Sequence, residues 1–328
     1  MSRAVPGFFQ FYPREVRPIS TIEAMGNAGG LSGARLFRFA SVRGLLVARQ
    51  WPADGLSMDR LQWNHDRLGE AADLEFVCRP LPTLDGRTLV RWEGRLWEVS
   101  PWMSGEADLA RPPTLTRVRT GFAGLAAFLA RFAKDRRWGA SPGLIHRAEE
   151  LEVLLLSEFQ KIRLALGLAP QSAPVALTRT WLERAVNKAP QVREAIRKAG
   201  AIQLPIQVCI RDARPDHLLF EGDRLTGLID FGAMGTDSVA GDLARLLTEW
   251  VGPDQVSRNE ALASFDQVLP LSGEELRAIE PFQLANAWLG AARWARWHFL
   301  ERRVFDDPAA VIKGLTRALE RLDEWDGS

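Results

Sequence analysis

The sequence predicts an α+β chain: a small antiparallel sheet carrying one helix, followed by a larger and mainly helical part. Three observations lead there. Residues 19–100 hold four β-rich runs arranged as two pairs around one amphipathic stretch. From Val118 onward apolar residues recur at helical spacing. With 328 residues, 46% hydrophobic and 25% charged, the chain can bury two domains or one large two-lobed one, and disorder is excluded. The expected division is 1–100 and 101–328, because composition shifts and proline clusters between Pro101 and Pro113.

The strands come first. ARLFRFAS and GLLVARQW form one pair, and RTLVRWEG and RLWEVS the other, joined across the turn signal Glu93-Gly94. Between the pairs, Ser57 stands before Met58, Leu61 and Leu68, which predicts an N-capped helix over 57–70. Beyond PWMSGEADLARPP, Val118, Phe122, Leu125, Leu129 and Phe132 share one helix face. So do Leu151, Leu154, Leu155, Phe159, Ile162 and Leu166. A strand at IQVCIRD and a hairpin turned by Glu221-Gly222-Asp223 interrupt the helices, which resume over 240–250, 274–301 and 308–323. On the helix 279–301, Leu284, Trp288, Ala291, Ala295 and Phe299 form a core face. Trp294 and Trp297 lie off it, either as packing or as an aromatic wall for a cationic ligand.

Charge and cysteine usage narrow the function classes. The 42 basic and 41 acidic residues give a formal +1, so no global field draws the chain to nucleic acid or to an anionic membrane. Two cysteines, Cys78 and Cys209, make neither a disulfide framework nor a metal knuckle. The first twenty residues are broken by Pro6, Pro13 and Pro18 and hold no apolar run of signal or membrane length, so a cytoplasmic chain is expected.

The chemistry concentrates in CIRDARPDHLLFEGDRLTGLIDFGAMGTDSVAGDLARLL, residues 209–247. Asp212 follows a strand, His217 comes five residues later, and Asp230-Phe231-Gly232 closes an apolar strand after the hairpin. Phosphoryl transfer needs such a pair: one carboxylate to take the proton of the attacking hydroxyl, another to hold Mg²⁺ against the phosphates. Upstream, Gly26, Gly29, Gly30 and Gly33 in GNAGGLSGARLFRF allow a backbone to close over phosphates without Cβ obstruction.

The 209–247 segment resembles the aminoglycoside phosphotransferase and choline kinase group of small-molecule kinases, with its HGDxxxxN, hairpin, IDFG and DxAxDLA pattern. The resemblance implies a protein-kinase-like two-lobed fold, with a small antiparallel-sheet N-lobe, a larger mainly helical C-lobe and ATP in the cleft. Asp212 matches the catalytic aspartate, Asp230 the metal aspartate, and Asp242 the aspartate that braces the catalytic loop. Ile210 stands where the group has His, and His217 where it has Asn; His217 joins Asp230 as the candidate metal pair. No lysine precedes Lys134, so Arg49 is the expected phosphate cation, and the glycine-loop residues Gly29, Gly30, Ser32 and Gly33 are expected to hold the phosphates with it. Its acidic partner is expected on the helix 57–70, among Asp59, Asp66 and Glu70. RLWEVSPWMSGEADL resembles the group's hinge, with Glu98 and Ser100 as backbone contributors to the adenine edge. His65, His146 and His298 read as ordinary polar residues. The expected activity is ATP- and Mg²⁺-dependent phosphorylation of a small-molecule hydroxyl on an aminoglycoside, amino alcohol or sugar-like acceptor. The alternative is a nucleotide-binding pseudokinase or scaffold without turnover.

Overall fold

The structure is a computed structural model that describes residues 7–26, 33–107, 112–305 and 307–326. Its contacts group the chain into two compact units, Met1–Arg131 with Asp216–Met234, and Phe132–Pro215 with Gly235–Ser328.

The first unit is built on a five-stranded antiparallel sheet. Its strands are β1 (Glu23–Gly26), β2 (Arg35–Ser41), β3 (Gly44–Gln50), β4 (Val90–Trp92) and β5 (Arg95–Pro101), in the order β1-β2-β3-β5-β4. The β4–β5 turn puts Glu93 (φ 47°) and Gly94 (φ 72°) in the left-handed region, the twist that a two-residue hairpin loop requires. Helix α1 (Met58–Gly69) starts where Ser57 Oγ accepts the Arg60 N–H, as the cap signal predicts. Its Leu61 packs with Ala34, Trp51, Leu89 and Leu96. The other cluster was not legible from periodicity. Two short 3₁₀ turns, Gly7–Phe11 and Arg14–Val16, bury Phe8, Phe9 and Val16, with Tyr12 between them, among Phe39, Leu46, Trp97 and Val99. Phe8 stacks on Trp97 at 4.3 Å. Helix α2 (Leu115–Ala130) buries Val118, Phe122, Leu125 and Leu129, the face read from the sequence.

The chain then alternates between units. In the second unit run β6 (Arg137–Ala140), α3 (Pro142–Val153), a π-helical turn at Leu154–Glu158, α4 (Phe159–Leu168), α5 (Ala173–Gly200) and β7 (Gln203–Cys209). The hairpin β8 (Leu218–Glu221) and β9 (Arg224–Leu228) belongs to the first unit, turning at Gly222 (φ 58°). There Glu106 bridges Phe220, and Val77 bridges Leu228. Gly105 (φ 94°) lies so near the Phe220 backbone that a Cβ would come within 2.8 Å of it. This grouping differs from a break at residue 100, because backbone bonding ties the hairpin to residues 76–78 and 106.

The second unit resumes with β10 (Gly235–Asp237), α6 (Ala240–Leu246), α7 (Gln255–Asp266), α8 (Gly273–Ala295) and α9 (Ala310–Asp326). Strands β10, β7 and β6 form an antiparallel sheet. Leu151, Leu154, Ile162, Leu166, Trp181 and Trp288 share one core with Ala291, Ala295 and Leu315, while Leu284 and Phe299 pack half-buried at its margin. Trp294 and Trp297 meet edge to face at 5.1 Å with Phe305 alongside. The aromatic surface already carries a cation from its own chain, Arg303, whose Cζ lies 5.0 Å from the Trp297 ring.

Candidate active site

In the first unit, Arg49 near the end of β3 lies 3.7 Å from Glu98 Oε1 and 3.4 Å from Asp230 Oδ1. Glu98 faces it directly in the β3–β5 register. The Glu98 carboxylate is buried, and Oε2 accepts the Trp51 Nε1–H at 3.0 Å. The His65 Nε2 lies 3.0 Å from the same oxygen, with His65 Nδ1 2.7 Å from Thr88 Oγ1. A threonine hydroxyl donated to Nδ1 leaves Nε2 to carry the proton toward Glu98. Burial alone pushes the Glu98 carboxyl up; the His65 bond and the Arg49 charge outweigh it, and the net direction is down. For Arg49 burial works against the charge, while Glu98 and Asp230 hold it on, and the net shift is upward.

The acidic partner of Arg49 is therefore on the neighbouring strand rather than on α1. Asp66 accepts from Gln62 at 2.8 Å and Glu70 pairs with Arg67 at 2.8 Å. The helix instead supplies His65 to Glu98 and Asn64, whose Nδ2 donates to the Phe231 carbonyl at 3.0 Å. One signal was available in the sequence: a lone carboxylate inside the apolar run LWEVS must be paired if the strand is central.

The same register revises the hinge. The Trp51 N–H bonds to the Leu96 carbonyl and the Trp102 N–H to the Leu45 carbonyl. Antiparallel pairs alternate, so Glu98 and Ser100 turn their own N–H and C=O toward Arg49 and Val47 in β3. Their backbone groups are committed to the ladder, while on the opposite edge of β5 the Val99 carbonyl accepts the Leu81 N–H. Among the glycine-loop residues, Gly29, Gly30 and Ser32 lie outside the described residues. Gly33 has φ 72°, a left-handed conformation suited to glycine.

Asp230 also has a left-handed backbone, φ 60°, as does Arg211 at φ 65°; such positions in non-glycine residues store strain at functional turns. Burial raises the Asp230 carboxyl, and Arg49, His217 and the Gly232 N–H bring it below its ordinary value. His217 Nε2 stands 3.7 Å from Asp230 Oδ2, so the two predicted metal residues are brought together. Among the described residues no group of three or more His, Cys, Asp or Glu is placed to hold a metal ion. The half-exposed Asp230 carboxylate is the kind of oxygen donor that would hold Mg²⁺, whereas the His217 imidazole suits borderline metals better.

In the second unit, Asp212 follows β7, and its Oδ1 lies 3.0 Å from Arg245 Nη1 on α6. Arg245 also approaches Glu249 at 3.6 Å, and Glu249 pairs with Arg321 at 3.2 Å. Asp242 is buried at the start of α6 and accepts the Ile210 N–H at 2.9 Å and the Ala213 N–H at 3.4 Å. It thus grips the loop on both sides of Asp212. The substitution of Ile at 210 leaves this grip intact because only the backbone is used. Burial pushes the Asp242 carboxyl up to about 7 against the pull of those two N–H groups. Arg211 lies 3.7 Å from Asp237, which also receives the Ser141 hydroxyl at 2.6 Å. Arg245, Asp237 and Ser141 were not singled out from the sequence, since only the fold brings α6, β10 and the start of α3 to this loop.

A model of a phosphotransferase enzyme family, APH, matches residues 23–282. The structure is similar over 100% of its length to an aminoglycoside phosphotransferase from Alicyclobacillus acidocaldarius, covering 95% of that chain at 17% identity and a TM-score of 0.66. It is also similar to a spectinomycin phosphotransferase in complex with ADP and spectinomycin, over 92% of this chain and 89% of that one, at 10% identity and a TM-score of 0.63. These likenesses show a protein-kinase-like α+β fold. In sequence, 116 residues are 35% identical to a homoserine kinase of Brucella melitensis, 34% of this chain and 33% of that protein. The match therefore spans about a third of the curated relative.

Proposed function

The chain belongs to the phosphotransferase enzyme family, and from that premise we propose that it is a small-molecule kinase moving the γ-phosphoryl group of ATP to an acceptor hydroxyl. The observation that carries the reading is Arg49 beside Asp230, a phosphate-type cation against a metal-type carboxylate from residues 181 apart in sequence. On this reading Arg49 and the glycine loop would hold the phosphates, and Asp230, with His217 beside it, would hold Mg²⁺. Bound Mg²⁺ would supply charge neutralisation on the phosphate oxygens. Asp212, oriented by Arg245 and by the Asp242 grip on its loop, accepts the hydroxyl proton as the acceptor oxygen attacks. The relatives' names, homoserine kinase and spectinomycin phosphotransferase, bracket the acceptor class as small polar alcohols. A cytoplasmic setting accords with the ATP requirement and with the two free cysteines. Among the described residues no helix is long and apolar enough to cross a membrane.

The second reading, a nucleotide-binding protein without turnover, is favoured by His217 at the position of a second metal-holding amide. One variant separates the two. Asp212→Ala should bring phosphoryl transfer to background while ATP binding, followed by calorimetry, stays within about twofold, because Asp212 acts on the acceptor and Arg49 and Asp230 on the nucleotide. Wild-type turnover in that variant overturns the assignment. ATP binding without consumption in the wild type, across aminoglycosides, amino alcohols, hydroxy acids and sugars, establishes the second reading.

A further inference from the structure

Arg147 on α3 is held from three sides. Nε and Nη2 donate to Asn286 Oδ1 on α8 at 3.0 and 2.9 Å, Nη1 donates to the Gly143 carbonyl at 2.9 Å, and Cζ lies 4.9 Å from the Phe282 ring centre. All these partners are neutral. Nearby arginines each have a carboxylate partner: Arg245 has Asp212 and Glu249, Arg293 has Glu150, Arg296 has Glu150 and Glu158, and Arg321 has Glu249. Among the described residues no carboxylate oxygen lies within 4.0 Å of Arg147, and three of its five N–H donors are used. The residue is only half-buried, so the remaining donors have a way to solvent.

Its surroundings oppose its charge. Burial, the Arg245 guanidinium and Arg293 together push Arg147 down to about 10 in spite of Asp237 and Glu150. The unfavourable neighbour Arg245 is the residue that orients Asp212. Phe282, under the Arg147 guanidinium, also packs 3.2 Å from where a Cβ of Gly241 would stand, next to Asp242 of the loop grip. A locked guanidinium with two donors to spare, pressed by a like charge one contact from the proposed catalytic carboxylate, is a preorganised receptor for an anion.

Resting on the kinase reading above, we propose that the acceptor carries a carboxylate received by Arg147 with Arg245 beside it, so that the substrate is a small hydroxy acid or hydroxy amino acid. A monoanion matches the site better than a phosphate ester. Among the described residues no carboxylate oxygen comes within 4.0 Å of Arg147, and its two spare N–H donors match a two-oxygen group, whereas a phosphomonoester brings nearly two negative charges. A polycationic aminoglycoside would instead meet this guanidinium with like charge.

The test compares matched pairs that differ by the carboxylate alone. L-serine, L-homoserine and 4-hydroxybutyrate are set against ethanolamine, 3-amino-1-propanol and 1-propanol, using calorimetry on the full chain without nucleotide and steady-state kinetics with ATP. At least one acid should bind the wild type tenfold or more tighter than its decarboxylated partner. Arg147→Gln should raise the KM for that acid at least tenfold while kcat and the KM for ATP change less than threefold, and Arg147→Lys should recover part of the loss. If no acid is preferred over its partner, or if Arg147→Gln weakens acid and partner equally, the proposal is overturned; the wild-type comparison decides even where the variant fails to fold. Efficient phosphorylation of aminoglycosides with no use of the acids removes this proposal and leaves the kinase reading standing. Selective acid binding with no ATP consumed for any acceptor keeps the anion site and removes the kinase reading.

Discussion

Glu98 sits where a carboxylate could not remain without its neighbours. It is buried in a central strand with Arg49, His65 and Trp51 converging on its two oxygens. Removing one member of such a group leaves the others charged or unpaired, and that penalty exceeds the net worth of the pair. Glu98→Ala is expected to lower stability by about 3–5 kcal/mol in urea unfolding. Glu98→Gln, which keeps an acceptor for Trp51, should cost less, about 1–3 kcal/mol. Equal costs would show that packing volume, not charge, fixes the residue. Asp242 gives a second residue-scale prediction with a definite sign. Its folded-state carboxyl lies at about 7, against an ordinary 3.8, so between those values the folded protein keeps a proton that the unfolded chain has released. Stability from this group is present below about pH 4 and is lost as pH rises toward 7, by about 4 kcal/mol at most. Asp242→Asn cannot titrate, so the gap between wild type and variant in urea midpoints should narrow or reverse from pH 4.5 to pH 7.5. A gap that does not change with pH would mean that Asp242 is ionised throughout.

At the scale of elements, what could be read from the sequence follows from what is local. The Ser57 cap, the Glu93-Gly94 turn and the α2 face are written in short-range residue patterns, and each is found where expected. The 209–247 loop, hairpin and helix were legible for the same reason. The Arg49 partner was not, because Glu98 meets it only through strand register. Asn64 and His65 reach the site only because α1 packs on that sheet. Arg147 meets Asn286 on a helix 139 residues further along the chain, and Arg245 meets Asp212 in a loop 33 residues before it. The N-terminal 3₁₀ turns are the clearest omission. Prolines erase their periodicity, yet Phe8 is fully buried against Trp97. Phe8→Ala should therefore destabilise by about 3–5 kcal/mol, the range for a buried aromatic truncated to alanine. A loss below about 1 kcal/mol in chemical denaturation would show that the turn is peripheral to the sheet core.

For the whole molecule, the decisive fact is that its two compact units are interleaved along the chain. The first takes Met1–Arg131 and then Asp216–Met234, and the second takes the two remaining stretches. No single cut separates them. A fragment of residues 1–131 lacks the β8–β9 hairpin, and with it the bridges Val77–Leu228 and Glu106–Phe220, the Cys78 N–H bond to Leu228, and the Phe128–Phe231 contact at 5.2 Å. It also loses Asp230 from Arg49, leaving Glu98 as the ion-pair partner that the fragment keeps. A fragment of 132–328 keeps the hairpin but removes the residues it pairs with, exposing Phe220, Leu228 and Phe231, which are buried in the full chain. Exposed strand edges and apolar faces of that kind favour aggregation over folding. Both fragments should thus lack cooperative thermal unfolding when expressed alone, and co-expression of the two should recover a folded, ATP-binding complex. A cooperative transition in fragment 1–131 by itself, with near-native amide protection in β2, β3 and β5, would show that the sheet and its aromatic core suffice without the hairpin.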